Sequence, residues 1–191
     1  MREGPAMTRT RPARMSQPAV PVSARVFAGR FARELARALN CRPAQLRPAA
    51  LRWTVNVLTW AGALLALGSG IIHLRLWADG GYQGIAVIGP LFLVQGVAGA
   101  LLAVALAGFR RLWLMVAGAA LLAATASGLL LSVYVGLFGF RDSLAAPYAG
   151  MSLAEEVAGV VLLAAAAALL AGGRPWLRPG GRSGPVWPPA D

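Results

Sequence analysis

Four apolar runs, at residues 55–76, 85–107, 112–135 and 152–171, decide what this chain can become. Each is 20 residues or longer. At ~1.5 Å of rise per residue, about 20 helical residues cross the ~30 Å hydrocarbon layer of a bilayer. A backbone in hydrocarbon has no water to bond to, so each run must satisfy its own N–H and C=O groups as a helix. Hydrophobic residues make up 58% of the 191 and charged ones only 13%, which is more apolar surface than one small soluble core can hide. The expected fold is therefore all-α, an integral membrane four-helix bundle over residues 51–173.

The charges are sorted along the chain. All 18 basic residues are arginine, and the net charge is +11. Eleven arginines precede the first run, Arg110 and Arg111 separate the second from the third, and Arg174, Arg178 and Arg182 follow the fourth. The two other connections hold only Arg75 and Arg141. Arginine-rich loops stay on the cytoplasmic side, so sixteen arginines against two predict cytoplasmic N- and C-termini. Because the arginines are segregated from the apolar runs instead of being interleaved with aromatic residues, nucleic acid is excluded as a partner. Arginine without lysine, alongside abundant Ala, Gly and Pro, points to a genome rich in G and C.

Residues 1–50 form an arginine-rich arm. Its first 21 residues lack apolar periodicity and read as disordered, with Met7 and Met15 as alternative starts. Over residues 24–40, Phe27, Phe31, Leu35 and Leu39 recur every fourth position while Arg30, Arg33 and Arg37 fall on the opposite face, the pattern of a short basic amphipathic helix. Such a helix either lies among anionic lipid headgroups or packs on a protein partner. Residues 174–191, rich in Pro, Gly and Arg, read as a disordered tail.

Lipid gives helices no hydrophobic reason to associate, so close backbone approach at small residues must bring them together. Three stripes have that spacing: Gly62, Ala66 and Gly70; Gly99, Ala103 and Ala107; and Ala120, Ala124 and Gly128. They serve bundle packing or dimerisation equally well. Trp53, Trp77, Trp113, Tyr134 and Tyr148 fall near the ends of runs, as an aromatic belt requires.

Polar side chains gather at the other ends of the runs and in the short connections there, away from most of the arginines. His73, Arg75, Asp79, Arg141, Asp142, Glu155 and Glu156, with Tyr82, Gln83 and Tyr148, form this candidate outer cluster, and Gln95 lies inside the second run. Ionisable residues in or beside a span are costly, which makes such a cluster a candidate functional surface. His73, the only histidine, offers a metal ligand or proton relay, or is a polar side chain satisfied by one hydrogen bond. A bis-histidine haem lacks its second ligand within one chain, and zinc would need Glu155 and Glu156 as further ligands. Arg75 is expected to reach the headgroups or pair with Asp79 or Asp142.

Ser152 and Glu155 have the S-x-x-E form of a capping box where the fourth run begins, which accounts for Glu155. Glu156, about 100° further round the helix, has no such role. It is the better candidate for a proton or cation site, set against the simpler expectation that it faces headgroups. Pro90 is expected to kink the second span or loosen its outer turns, and Gln95 to bond the third span at Thr125 or Ser127. Cys41 stands alone, which excludes an intramolecular disulfide and a thiolate metal cage. Nucleophile-elbow, phosphate-loop, dinucleotide-glycine, HExxH and CxxC patterns are absent, so no catalytic set and no cofactor is expected.

The segments GSGIIHLRLW, GYQGIAVIGPLFLVQGVAGALLA and GLFGFRDSLAAPYAGMSLAEE resemble those of a group of uncharacterised small four-span membrane proteins of high-GC actinobacteria. The resemblance covers residues 55–172 and implies a bacterial plasma membrane. It implies no activity, cofactor or catalytic residue. In its four-span size the chain also resembles the DoxX-like superfamily, some members of which are linked to quinone or thiol redox work. The leading expectation is a non-enzymatic accessory or interaction protein of the bacterial plasma membrane. Its partners would be the lipid bilayer, anionic headgroups at the arm, and either a second copy or another membrane protein. The alternatives are an oligomeric protein for proton, ion or small-solute permeation and a haem- or quinone-linked redox subunit.

Overall fold

The computed structural model describes residues 22–46 and 48–173, apart from the side chains of 22–28 and 30. The arm before residue 22, the tail from 174, and Phe27 and Arg30 of the amphipathic pattern lie outside the described residues and side chains. The chain divides into two units, Met1–Leu35 and Ala36–Asp191. Everything described in the first is helix, the body of α1 (Val22–Leu39). On α1, Phe31 and Leu35 are exposed on one face and Arg33 and Arg37 on the other, the two-faced surface that the four-residue spacing predicts.

The second unit holds α2 (Ala49–Ala78), α3 (Ile88–Phe109), α4 (Leu112–Tyr134) and α5 (Ala149–Gly172). All four are long and apolar enough to cross a membrane, and the chain is a multi-pass membrane protein with an all-α four-helix core. No strand occurs among the described residues. Helix α2 packs along both α3 and α5, α5 also packs along α4, and α3 and α4 meet more sparingly. The closest approach is between α2 and α3. A Cβ on Gly99 would come within 2.9 Å of the Ala66 carbonyl, and one on Gly70 within 3.0 Å of the Gly96 carbonyl. Two of the three small-residue stripes thus pack inside the chain. The third, Ala120, Ala124 and Gly128, does not: Ala120 and Ala124 are exposed, and α4 turns Gly118, Leu122 and Ala126 inward instead.

The helices end for local reasons. Helix α2 starts at Ala49, six residues before the apolar run, because the Ala-Ala-Leu after Pro48 favours helix and Arg52 is itself a good helix former. Its 30 residues span about 45 Å. Helix α3 starts at Ile88, later than the run, because Ala86–Ile88 form a γ-turn: the Ile88 N–H donates to the Ala86 carbonyl (2.8 Å) around Val87 at φ 66°, ψ −49°. Pro90 is then the third helical residue, in the first turn, whose N–H groups have no partner within the helix. It costs no hydrogen bond there, which removes the expected cause of a kink.

Only Arg110 and Arg111 connect α3 to α4, with Arg110 at φ 43°. Next to this turn the Leu112 N–H donates to the Cys41 carbonyl (3.1 Å), and Arg111 donates to the Asn40 side chain. At the far end of α4 a two-residue turn, Phe138 and Gly139 at φ 51° and 80°, exchanges both backbone hydrogen bonds between Leu137 and Phe140.

The interior has two different halves. Toward the arginine-bearing end, Val55, Ala63, Ala66, Leu106, Met115, Leu122, Leu163, Ala166 and Leu170 form one packed apolar core, closed by Cys41 and Leu46. Toward the opposite, distal end lie six of the seven buried polar side chains among the described residues: Ser69, His73, Gln95, Ser132, Ser152 and Glu156. That half is not filled.

Candidate functional site: a polar-headed cavity in the distal half

The distal half encloses a cavity of about 240 Å³. Its walls come from all four spans and both distal connections: His73 and Leu76 of α2, Leu91, Phe92 and Gln95 of α3, Thr125, Gly128 and Ser132 of α4, and Ser152 and Glu156 of α5. Tyr82, Phe140 and Asp142 cover its distal end. The lining reaches the protein surface at Leu91 on α3, Ala124 on α4 and Pro147 in the last connection. The mouth therefore lies along the sparse α3–α4 seam.

Glu156 is the focus of the site. It is 0% exposed, and its Oε1 accepts hydrogen bonds from Ser69 (3.0 Å, across from α2) and Ser152 (2.9 Å, one turn earlier). Its Oε2 is buried and has no partner among the described residues. The expectation that Glu156 faces headgroups is thus overturned. Helix α5 begins at Ala149, after Tyr148 at φ 65°, so residue 156 is two turns inside the helix and on the face toward α2. The same early start dissolves the expected capping box. Ser152 is the fourth helical residue, its hydroxyl serves Glu156, and Glu155 caps nothing. The Glu155 carboxylate rests instead on bare Gly68, where a Cβ would meet its Oε2 at 2.8 Å, and that oxygen is also buried and unpartnered.

His73 is 7% exposed, and its Nδ1 lies 2.8 Å from the Ser69 carbonyl. A carbonyl only accepts, so Nδ1 carries a proton, and when the ring is neutral Nε2 is a lone-pair acceptor. One residue, Ser69, thus ties the carboxylate and the imidazole together through its side chain and its backbone. The imidazole ring lies 4.9 Å from Phe92, Phe92 stacks on Tyr82 at 4.4 Å and 24°, and Tyr82 meets Phe140 edge-on at 5.8 Å. These four rings form one wall.

The Tyr82 hydroxyl donates to Asp142 (3.4 Å), which also accepts from the Ser143 N–H (2.7 Å). Burial, then the Asp142 charge and this hydrogen bond, raise the Tyr82 phenol above its ordinary value of 10.0. Gln95 is buried, but its Nε2 has no partner among the described residues. The bonds expected from Thr125 and Ser127 are absent because both hydroxyls turn back to carbonyls of their own helix, Leu121 and Ala123 (2.7 Å each).

Of the sequence-derived cluster, His73, Gln95, Asp142 and Glu156 converge on the cavity with Tyr82. Arg75, Asp79, Gln83, Arg141 and Tyr148 do not, being exposed. Asp142 accepts from Tyr82 and Ser143, while Arg75 is exposed. Arg141 reaches back to the Val135 carbonyl (3.4 Å). Among the described residues no three His, Cys, Asp or Glu side chains are grouped to hold a metal ion, so His73, Glu155 and Glu156 do not form a zinc cage. Sequence reasoning missed Ser69, Phe92 and Phe140. Ser69 with His73 and Ser152 with Glu156 are i,i+4 pairs, and Phe92 with Gln95 is an i,i+3 pair, so a search for polar and aromatic neighbours on one helix face would have found most of the site.

Comparison with protein-family models, curated proteins and solved structures finds no match to this chain.

Proposed function

We propose that this is a non-enzymatic accessory protein of the bacterial plasma membrane that binds a small membrane-dissolved molecule in its distal cavity. One observation carries the reading: two buried polar atoms without partners, Glu156 Oε2 and Gln95 Nε2, belong to side chains lining the same cavity. A buried polar group left unpaired costs about 1–3 kcal/mol, more when charged, and a bound molecule that pairs with both recovers that cost. The cavity is just below the ~300–1,000 Å³ usual for small-molecule pockets, with the apolar walls and few converging polar groups typical of them. The solid apolar core in the other half speaks against permeation through a single copy.

In this reading the arginine-bearing ends of the helices are cytoplasmic and the cavity lies in the outer leaflet. The two-faced surface of α1 suits an anionic lipid surface. The exposed small face of α4 at Ala120, one turn from the cavity mouth at Ala124, is where a second copy or another membrane protein would pack.

Native mass spectrometry of the full chain extracted from its own membrane tests the binding role. The wild type is expected to retain a small-molecule adduct that Gly128→Leu loses. Gly128 lines the cavity, and a Cβ there meets nothing within 4 Å, so the leucine side chain has room to fill it. Identical spectra, together with no stabilisation of either protein by an extract of that membrane, would refute the role.

A further inference from the structure

We infer that the cavity selects an organic ammonium ion with an apolar body, its charged nitrogen held at Glu156. The inference rests on the cavity being a binding site, as proposed above, and adds the chemical class of the ligand. It follows from the balance of donors and acceptors on the walls. Two carboxylates, Glu156 and Asp142, and one imidazole lone pair, His73 Nε2, line the space, while no arginine does. The arginines of the distal end, Arg75 and Arg141, are exposed.

Two hydroxyl donors satisfy one oxygen of Glu156, and when the carboxyl ionises its charge has no counter-ion among the described residues that line the cavity, where an unpaired buried charge is costly. Glu156 is fully buried at the cavity wall, so a cation in the cavity supplies the missing charge directly and a donor for Oε2 once the carboxylate rotates toward it. Phe92 and Tyr82 turn one face each to the other, and an ammonium group within about 6 Å of a ring face left to the cavity is attracted by its negative electrostatic potential, which favours the same sign. An anionic ligand would meet two carboxylates and, among the described lining residues, one side-chain donor without a partner, Gln95 Nε2. That amide suits a hydroxyl or carbonyl oxygen elsewhere on the cation. The walls between these groups are apolar, so they accommodate a ring or short chain better than a small hydrated amine.

Three probes of one shape separate the possibilities: 4-phenylbutylamine, 4-phenylbutanol and 4-phenylbutyrate, titrated calorimetrically at pH 7 against the full chain in zwitterionic-lipid nanodiscs. The amine is expected to bind at least tenfold more tightly than the alcohol, and the carboxylate not at all. Glu156→Gln keeps the shape and an oxygen for both serines but presents an N–H₂ to the cavity in place of Oε2. It is expected to weaken the amine at least tenfold and leave the alcohol unchanged. Phe92→Leu, which keeps the carboxylate, is expected to weaken the amine several-fold. Equal binding of amine and alcohol, or amine binding indifferent to Glu156→Gln, overturns the ammonium assignment. If the alcohol or carboxylate then binds and Gly128→Leu abolishes that binding, the cavity role stands while the ligand class falls. If none of the three binds, both fall.

Discussion

The contact most sensitive to a single methyl group is the α2–α3 crossing, and Gly99→Ala tests it. The new Cβ would sit 2.9 Å from the Ala66 carbonyl oxygen and 3.3 Å from the Gly70 Cα, both backbone atoms of a packed helix that no rotamer change can move aside. Restoring an ordinary contact of 3.4 Å from 2.9 Å requires about 0.5 Å of separation, distributed along an interface that also brings Gly70 against Gly96. Overpacking of this kind costs about 1–3 kcal/mol. Gly108→Ala on the same helix is the control, because its Cβ meets nothing within 4 Å. In water, replacing a helical glycine with alanine gains about 1 kcal/mol. In a membrane the gain is smaller because the separated spans stay helical. Unfolding by increasing SDS in mixed micelles is expected to show Gly99→Ala destabilised by about 1–3 kcal/mol and Gly108→Ala neutral or slightly stabilised. Equal stabilities for the two variants would refute the claim that glycine is needed for close approach at position 99.

Two further predictions concern the distal end. Val87 is a β-branched residue at positive φ, a conformation worth about 1–3 kcal/mol of strain, so Val87→Gly is expected to leave the same SDS midpoint unchanged or higher, and a lower midpoint would contradict the strain. Tyr82 is expected to ionise above pH 10 when followed by ultraviolet absorbance, and Asp142→Asn to bring it part of the way back. Since the folded protein favours the neutral phenol, its contribution to stability is whole below pH 10 and is lost as the pH rises through the folded-state value. No change in the Tyr82 titration with Asp142→Asn would count against the contact.

The helices were legible in the sequence because hydropathy and backbone satisfaction in lipid act on each run separately. Their ends were less so. Arg52 looks like the edge of a span, yet the backbone stays helical past it to Ala49. Ser152 and Glu155 match a helix-start motif, yet the start is fixed three residues earlier by the conformation of Tyr148. The site turned on rotation. Glu156 is a buried acceptor and not a rim charge because α5 presents that side to Ser69 of α2, a choice made by packing between helices distant in sequence. For the same reason three small-residue stripes looked equivalent when only two face a partner within the chain.

With α3 and α4 spanning a bilayer, the seam between them, where Leu91 and Ala124 bring the cavity lining to the surface, would face the acyl chains for much of its length. A molecule that enters there has first dissolved in the bilayer, so its occupancy follows its concentration per volume of lipid. Two solutes with the same contacts in the cavity would then differ in apparent aqueous affinity by the ratio of their partition coefficients, and adding lipid at fixed total solute would dilute the occupant off the protein.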